Sequence, residues 1–381
     1  MLRRFSIALL SSAFVLAPHA YAQTAPQPEP FGVEAYLPYE SDRSSYPDWV
    51  YTEVVSEFDA LRTEHPEVME SNLQQVIEAN NLADPETIAR AQSDAATDTE
   101  GVLGHFADAF GPTLGQHFRD ALAEGRLPKT KMMFDGITAR AGGLASSTFV
   151  EKAIFANERP YIAHPDKIKR YDVEGKDIYP TSKSFPSGHT NQAAWTTTLL
   201  AVIIPEAAPQ LLERGSEAGY HRMVLGVHYP LDVIGGRMTG NAAAADRWND
   251  PRMRENLRLV GQEIRAELEW RCGAALSECV AAEAMDPDEA TALYTERMNY
   301  GFAPIAAQDA PIQVPQQAPD LLLGVFPELS YDQRASILAQ TAGPAGMPLD
   351  HQESSWQRIN LAKAMNAQIS VAADGTVTVV D

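Results

Sequence analysis

The chain has 381 residues, 45% of them hydrophobic, enough to build a packed core as one large domain or two smaller ones. Its 51 acidic residues outweigh 30 basic ones, for a formal charge of −21. A surface that acidic disfavours nucleic acid and anionic membranes as partners.

The first 22 residues read as a secretory signal peptide. "MLRR" gives a positive start, "FSIALLSSAFVL" an apolar stretch too short to span a bilayer, and "AYA" a small-residue cleavage site before Gln23. An N-terminal membrane anchor is the competing reading. Loss of Arg3 and Arg4 with the leader takes the charge to about −23 and places the protein in the periplasm or outside the cell. Residues 23–46 are a Pro-rich lead-in, whose opening "QTAPQPEPFG" is expected to be poorly ordered. A helical body follows over 47–270, beginning with Val54, Val55, Phe58 and Leu61 at helix spacing. "DPETIARAQSDA" opens with an Asp-Pro cap, and "TLGQHFRDALAEGRL" and "SSTFVEKAIFANE" read as further helices. Four more are predicted over 187–204, 206–219, 230–247 and 251–269. The longest apolar stretch outside the leader, residues 193–204, is too short and too threonine-rich for a membrane span.

Residues 271–320 form a helical extension that ends in a Pro/Gln/Ala-rich linker or surface loop over 303–320. Residues 321–381 carry one or two helices, including "SSWQRINLAKAM" as an amphipathic candidate, and a hairpin around an Asp-Gly turn. Cys272 and Cys279 are the only cysteines. In an oxidising compartment they are expected to close a local disulfide; a metal site would need more ligands than two thiols.

Three segments combine cationic or imidazole side chains with helix breakers. In "EKAIFANERPY", Lys152 and Arg159 are seven residues apart, which predicts one helical face ended by Pro160. Alone, the pair also fits an ordinary solvated face. In "KSFPSGHTNQAAW", Ser187 is a natural N-cap, and the helix start it makes can hold an anion that Gly188 lets close to the backbone. His189, in the first turn, is placed to give a proton to such an anion, or is simply exposed. In "GYHRMVLGVHYPLDV", Arg222, His228 and Asp232 are spaced R-x5-H-x3-D. Asp232 can hold the His228 ring or merely favour the dipole of a helix begun by Pro230.

Together the segments read K-x6-R-P, P-S-G-H and R-x5-H-x3-D. This resembles the signature of the type 2 phosphatidic acid phosphatase (PAP2) superfamily, which includes bacterial class A non-specific acid phosphatases and vanadium-dependent haloperoxidases. The run "RGSEAGYHR" from Arg214 to Arg222 looks like the RG-x-E-x-G-x-SR run of the class A enzymes, with His221 in place of the family's serine. Residues 270–381 lie beyond the clear resemblance.

The resemblance implies an all-α helical bundle of the PAP2/haloperoxidase type, here with a short C-terminal β-hairpin. It implies an acid phosphatase that hydrolyses small phosphomonoesters without a metal cofactor; vanadate would bind as a phosphate mimic. A vanadium haloperoxidase and a non-catalytic anion-binding protein are the alternatives, and homo-oligomerisation is left open. By position, Lys152, Arg159, Ser187, Gly188 and Arg222 would bind phosphate, and His228 would attack phosphorus. Asp232 would orient His228, and His189 would protonate the leaving group. A bell-shaped, mildly acidic pH profile is expected from two histidines held in opposite protonation states.

Overall fold

Prolines start half of the α-helices described, because a proline at the first helical position gives up no hydrogen bond and has its φ already set. In three places an Asp precedes it as cap. Asp84 accepts from the Thr87 N–H at 2.7 Å, Asp250 from the Arg252 and Met253 N–H groups, and Asp286 from those of Asp288 and Glu289. The computed structural model describes residues 24–46, 50–96, 101–135, 139–142, 146–173 and 181–380; the expected leader lies outside them.

The helices in chain order are α1 (Glu57–Glu64), α2 (Pro66–Asn81), α3 (Pro85–Ala95), α4 (Val102–Phe106), α5 (Pro112–Ala123) and α6 (Pro128–Phe134). Then come α7 (Phe149–Phe155), α8 (Pro160–Ala163), α9 (Gly188–Ile203), α10 (Ala208–Val224) and α11 (Pro230–Asn249). The series ends with α12 (Pro251–Cys272), α13 (Leu276–Glu283), α14 (Pro287–Arg297), α15 (Tyr331–Gln340) and α16 (Leu361–Met365). Strands β1 (Gln368–Val371) and β2 (Val377–Val380) pair antiparallel, Gln368 opposite Val380. The all-α expectation with a C-terminal hairpin is met.

Helices α9, α10 and α11 form the centre. Helix α11 is buried along nearly its whole length and α9 along most of it, so neither shows a polar face. Helix α9 packs against both of the others. Two glycines of α11 permit the approach: a Cβ on Gly236 would lie 2.5 Å from the Ser187 carbonyl oxygen, and one on Gly240 would lie 2.6 Å from that of Asn191.

The C-terminal third shares this core. Trp356 is fully buried, with its indole N–H donating to the Tyr46 hydroxyl at 2.6 Å. Helix α14 packs on α10, and Arg254 and Arg334 both pair with Asp320. The predicted helix in "SSWQRINLAKAM" is broken into a 3-10 turn, Trp356–Arg358, and α16, because Asn360 caps α16 by accepting from the Lys363 N–H. The lead-in, whose start is expected to be loose, meets the body at Pro26 and Glu29: Arg126 donates to the Pro26 carbonyl and Lys129 to that of Glu29. Cys272 and Cys279 form a disulfide joining the end of α12 to α13. Among the described residues, no helix is long and apolar enough to cross a membrane.

Candidate active site

Ser187 caps α9 as its sequence position predicts, its Oγ accepting from the Thr190 N–H at 3.3 Å and the Thr190 hydroxyl at 2.8 Å. The two following residues, Gly188 and His189, therefore start the helix at its electropositive end. A Cβ on Gly188 would touch the Thr148 hydroxyl at 3.0 Å, so glycine keeps the backbone open beside that side chain. Phe185 and Pro186, joined by a cis peptide, lead into this turn, and the Phe185 ring stacks on Phe58 with centroids 3.7 Å apart. The helix start is thus fixed to the core from two sides.

His228 and Asp232 lie on either side of Tyr229, the residue that caps α11. Asp232 is fully buried; its carboxylate accepts the Tyr229 N–H at 2.8 Å and the Ser184 hydroxyl at 3.4 Å, and meets the His228 Nδ1 at 3.2 Å. On the other side of the ring, His228 Nε2 lies 3.0 Å from Arg159 Nη1. A guanidinium only donates, so Nε2 is an acceptor and the single ring proton sits on Nδ1, facing Asp232. The arrangement presents an unprotonated Nε2 among cations.

A cleft of about 430 Å³ gathers Lys152, Arg159, Gly188, His189 and His228. Lys152, on α7, spends two of its three protons on the Lys183 and Ser184 carbonyls at 2.8 and 2.9 Å. Arg159 is held by the Ser182 and Val227 carbonyls at 2.8 and 2.9 Å. Arg222, near the end of α10, is buried and shares a second, small cavity with His189. Ser187 is fully buried and is not part of the cleft lining. The other expected site residues therefore converge on the first turn of α9, either in the cleft or in contact with its lining.

The electrostatics follow from burial among like charges. Burial, then the neighbouring Arg159, push Lys152 down to about 7. Burial, with Arg159, Lys152, Arg222 and His189 around it, holds His228 well below the usual histidine range and so keeps it neutral. Burial pushes Asp232 up against the opposing pull of the Tyr229 N–H, Lys152 and Arg159. The Lys152 and His228 shifts would relax if an anion entered the cleft, since the anion supplies the charge these cations lack, whereas Asp232, itself an anion when ionised, would be pushed further up.

One expectation needs correction. Lys152 and Arg159 do not share a helix. Helix α7 ends at Phe155, where Ala156 turns left-handed (φ 50°), and Arg159 is the extended cap of α8, with Pro160 at its first position. Pro160 starts a helix here instead of stopping one. The two cations reach the cleft from separate elements.

Other parts of the site carried no signal in the motifs. Ser182 and Ser184 position Arg159, Lys152 and Asp232, and Asn157 donates to the Ser184 hydroxyl at 2.9 Å. Only their place just before the Pro-Ser-Gly-His turn could have drawn attention to them. His221, the departure from the family's serine, is buried on α10, with Nδ1 2.6 Å from Asp94 on α3. Asp94 also binds Arg214, and these two neighbours, outweighing burial, hold its carboxyl far below the usual range. The larger side chain thus has a built partner beside Arg222.

Comparison with known proteins agrees with this geometry. The description of the PAP2 superfamily matches residues 136–254, which include Lys152, Arg159, Ser187, Gly188, His189, Arg222, His228 and Asp232. A non-specific acid phosphatase of Providencia stuartii is 27% identical over 239 residues, covering 61% of this chain and 91% of that protein. One from Salmonella typhimurium is 26% identical over 170 residues, 45% of this chain and 65% of its own length. A decaprenylphosphoryl-5-phosphoribose phosphatase of Mycolicibacterium smegmatis is 31% identical over 134 residues, 35% of this chain and 67% of that protein. With the matched segment, the helical fold and the convergent cleft in agreement, this chain belongs to the PAP2 superfamily.

Proposed function

We propose that this protein is an exported acid phosphatase that hydrolyses small phosphomonoesters through a phosphohistidine, with cationic side chains in the role that metal ions fill in other phosphatases. The observation that carries the reading is the His228 ring, whose Nδ1 faces Asp232 and whose Nε2 faces Arg159 at the cleft. The names of the acid phosphatases similar to this chain support the substrate class. The leader-like N-terminus and the Cys272–Cys279 disulfide support export.

In this mechanism Lys152, Arg159 and Arg222 hold the phosphoryl oxygens, together with the Gly188 N–H and the proton that Ser187 retains after accepting twice from Thr190. Charge spreads over those oxygens as the ester bond breaks, and fixed donors stabilise it there. His228 Nε2 forms a bond to phosphorus as the ester oxygen leaves, and His189 supplies the proton that makes it an alcohol. Asp232 stabilises the positive charge that develops on the His228 ring. His189, now neutral, takes a proton from water; the resulting P–O bond releases phosphate and restores His228.

The test is hydrolysis of p-nitrophenyl phosphate from pH 4 to 8 in EDTA by the chain starting at Gln23, beside His228→Ala. Turnover should survive chelation, follow a bell-shaped profile with a mildly acidic optimum, and fall by at least about 10³-fold in the variant. An inactive wild type, or activity that chelation abolishes, refutes the reading.

A further inference from the structure

A second cavity lies between α9, α10, α11 and α14 and shares a wall with the active site, since Thr190 and Val233, the residues after His189 and Asp232, line it. The cavity is small, about 20 Å³, enough for a single small occupant such as a water or a monatomic ion. Arg237 of α11 lines it and is buried. Its Nη2 donates to the Met298 and Gln357 carbonyls at 3.3 and 2.9 Å, but its Nε and Nη1 are buried with no partner. The Tyr294 and Tyr300 hydroxyls and the Asn241 Nδ2 line the same cavity, also buried and unpartnered.

The other buried guanidinium groups show how unusual this is. Arg214 pairs with Asp94, Arg247 with Asp42, Arg334 with Asp320, and Arg358 lies 4.0 Å from Asp350. Arg159 and Arg222 belong to the site proposed to hold the substrate anion. Among the described residues, no carboxylate pairs with Arg237. A guanidinium in the interior needs a counter-charge, and carbonyl oxygens supply only part of it. Water would satisfy the hydrogen bonds but would leave the charge uncompensated.

We infer that this cavity binds a small monovalent anion of halide size, chloride in ordinary media, held by Arg237 with the Tyr294 and Tyr300 hydroxyls and the Asn241 amide. The site joins α11, which carries Asp232, to the chain's C-terminal extension, which supplies both tyrosines and both carbonyls. It is independent of the phosphatase reading, and its occupant is expected to stabilise the fold by binding the native state alone.

Two measurements test it. Crystals grown in sodium bromide should show an anomalous bromide peak against the Arg237 guanidinium. The melting temperature in sodium chloride should exceed that in sodium gluconate at equal ionic strength by about 2 °C or more. That difference should vanish in Arg237→Gln and shrink in Tyr300→Phe, which keeps the guanidinium and serves if the first variant does not fold. A cavity holding water with no bromide peak, or wild-type melting curves that coincide in the two salts, overturns the inference.

Discussion

Lys152 is the residue whose charge most directly sets how the cleft meets an anion. Burial and Arg159 bring it down to about 7. A bound anion opposes the shift by stabilising the charged lysine, so the bound form keeps its proton to higher pH. Below about 7 the lysine is already charged and binding takes up no proton there. Above it, binding must take up one, and linkage makes affinity fall by up to about tenfold per pH unit. Sulfate, whose own charge is constant across this range, reports the effect cleanly as a competitive inhibitor. Its inhibition constant should be level through the mildly acidic range and weaken steadily between pH 7 and 9. Lys152→Arg should straighten the upper part of that curve, because a guanidinium does not titrate here. An identical curve in Lys152→Arg would show that Lys152 is not the group responsible.

At the scale of elements, the proposed mechanism depends on how closely α9 and α11 approach, because α9 carries Gly188 and His189 while α11 carries Asp232. The contact is set by Gly236, where a Cβ would lie 2.5 Å from the Ser187 oxygen and 2.8 Å from the Thr190 Cβ. Those are backbone and β-carbon atoms, so no flexible side-chain end can move away, and the helices must separate. Overpacking of this kind costs about 1–3 kcal/mol, and a shift of the first turn of α9 moves His189 relative to His228. Gly236→Ala should therefore lower the melting temperature and reduce kcat/KM by about tenfold or more. Gly104, in α4, is the matched control: nothing lies within 4 Å of its Cβ position, so Gly104→Ala should hold or raise stability and leave kcat/KM unchanged. Equal losses in both variants would show that close helix approach is not what Gly236 protects.

For the whole molecule, what could be read from sequence and what could not divides along physical lines. The caps and breakers at Asp84, Ser187, Pro230 and Asp250 act locally, so the helices they start were legible. Arg159, Gly188, His189 and His228 were legible because each sits within two residues of a cap or breaker, and Lys152 only through its spacing to Arg159 in the motif. The break at Ala156 was hidden, since an alanine in the left-handed region leaves no compositional trace. So was the Asp94–His221 pair, because its members are 127 residues apart and only tertiary packing selects them. The C-terminal third was legible as a hairpin and short helices but not in its attachment. Residues 303–320 read as a linker or a surface loop, which names none of the contacts that hold the section: Trp356 reaches Tyr46, Asn249 donates to the Gln317 carbonyl, and Arg237 is anchored on Met298 and Gln357. One continuous set of buried apolar residues runs from Tyr39 to Val377. Elements that share a core in this way lose their packing together, so they should unfold together. Scanning calorimetry of the full chain should accordingly give a single heat-absorption peak, and loss of the near-ultraviolet signal should coincide with loss of helix. Two resolved peaks, with the earlier one removed by cutting the chain within residues 303–320, would instead make the C-terminal section an independent unit.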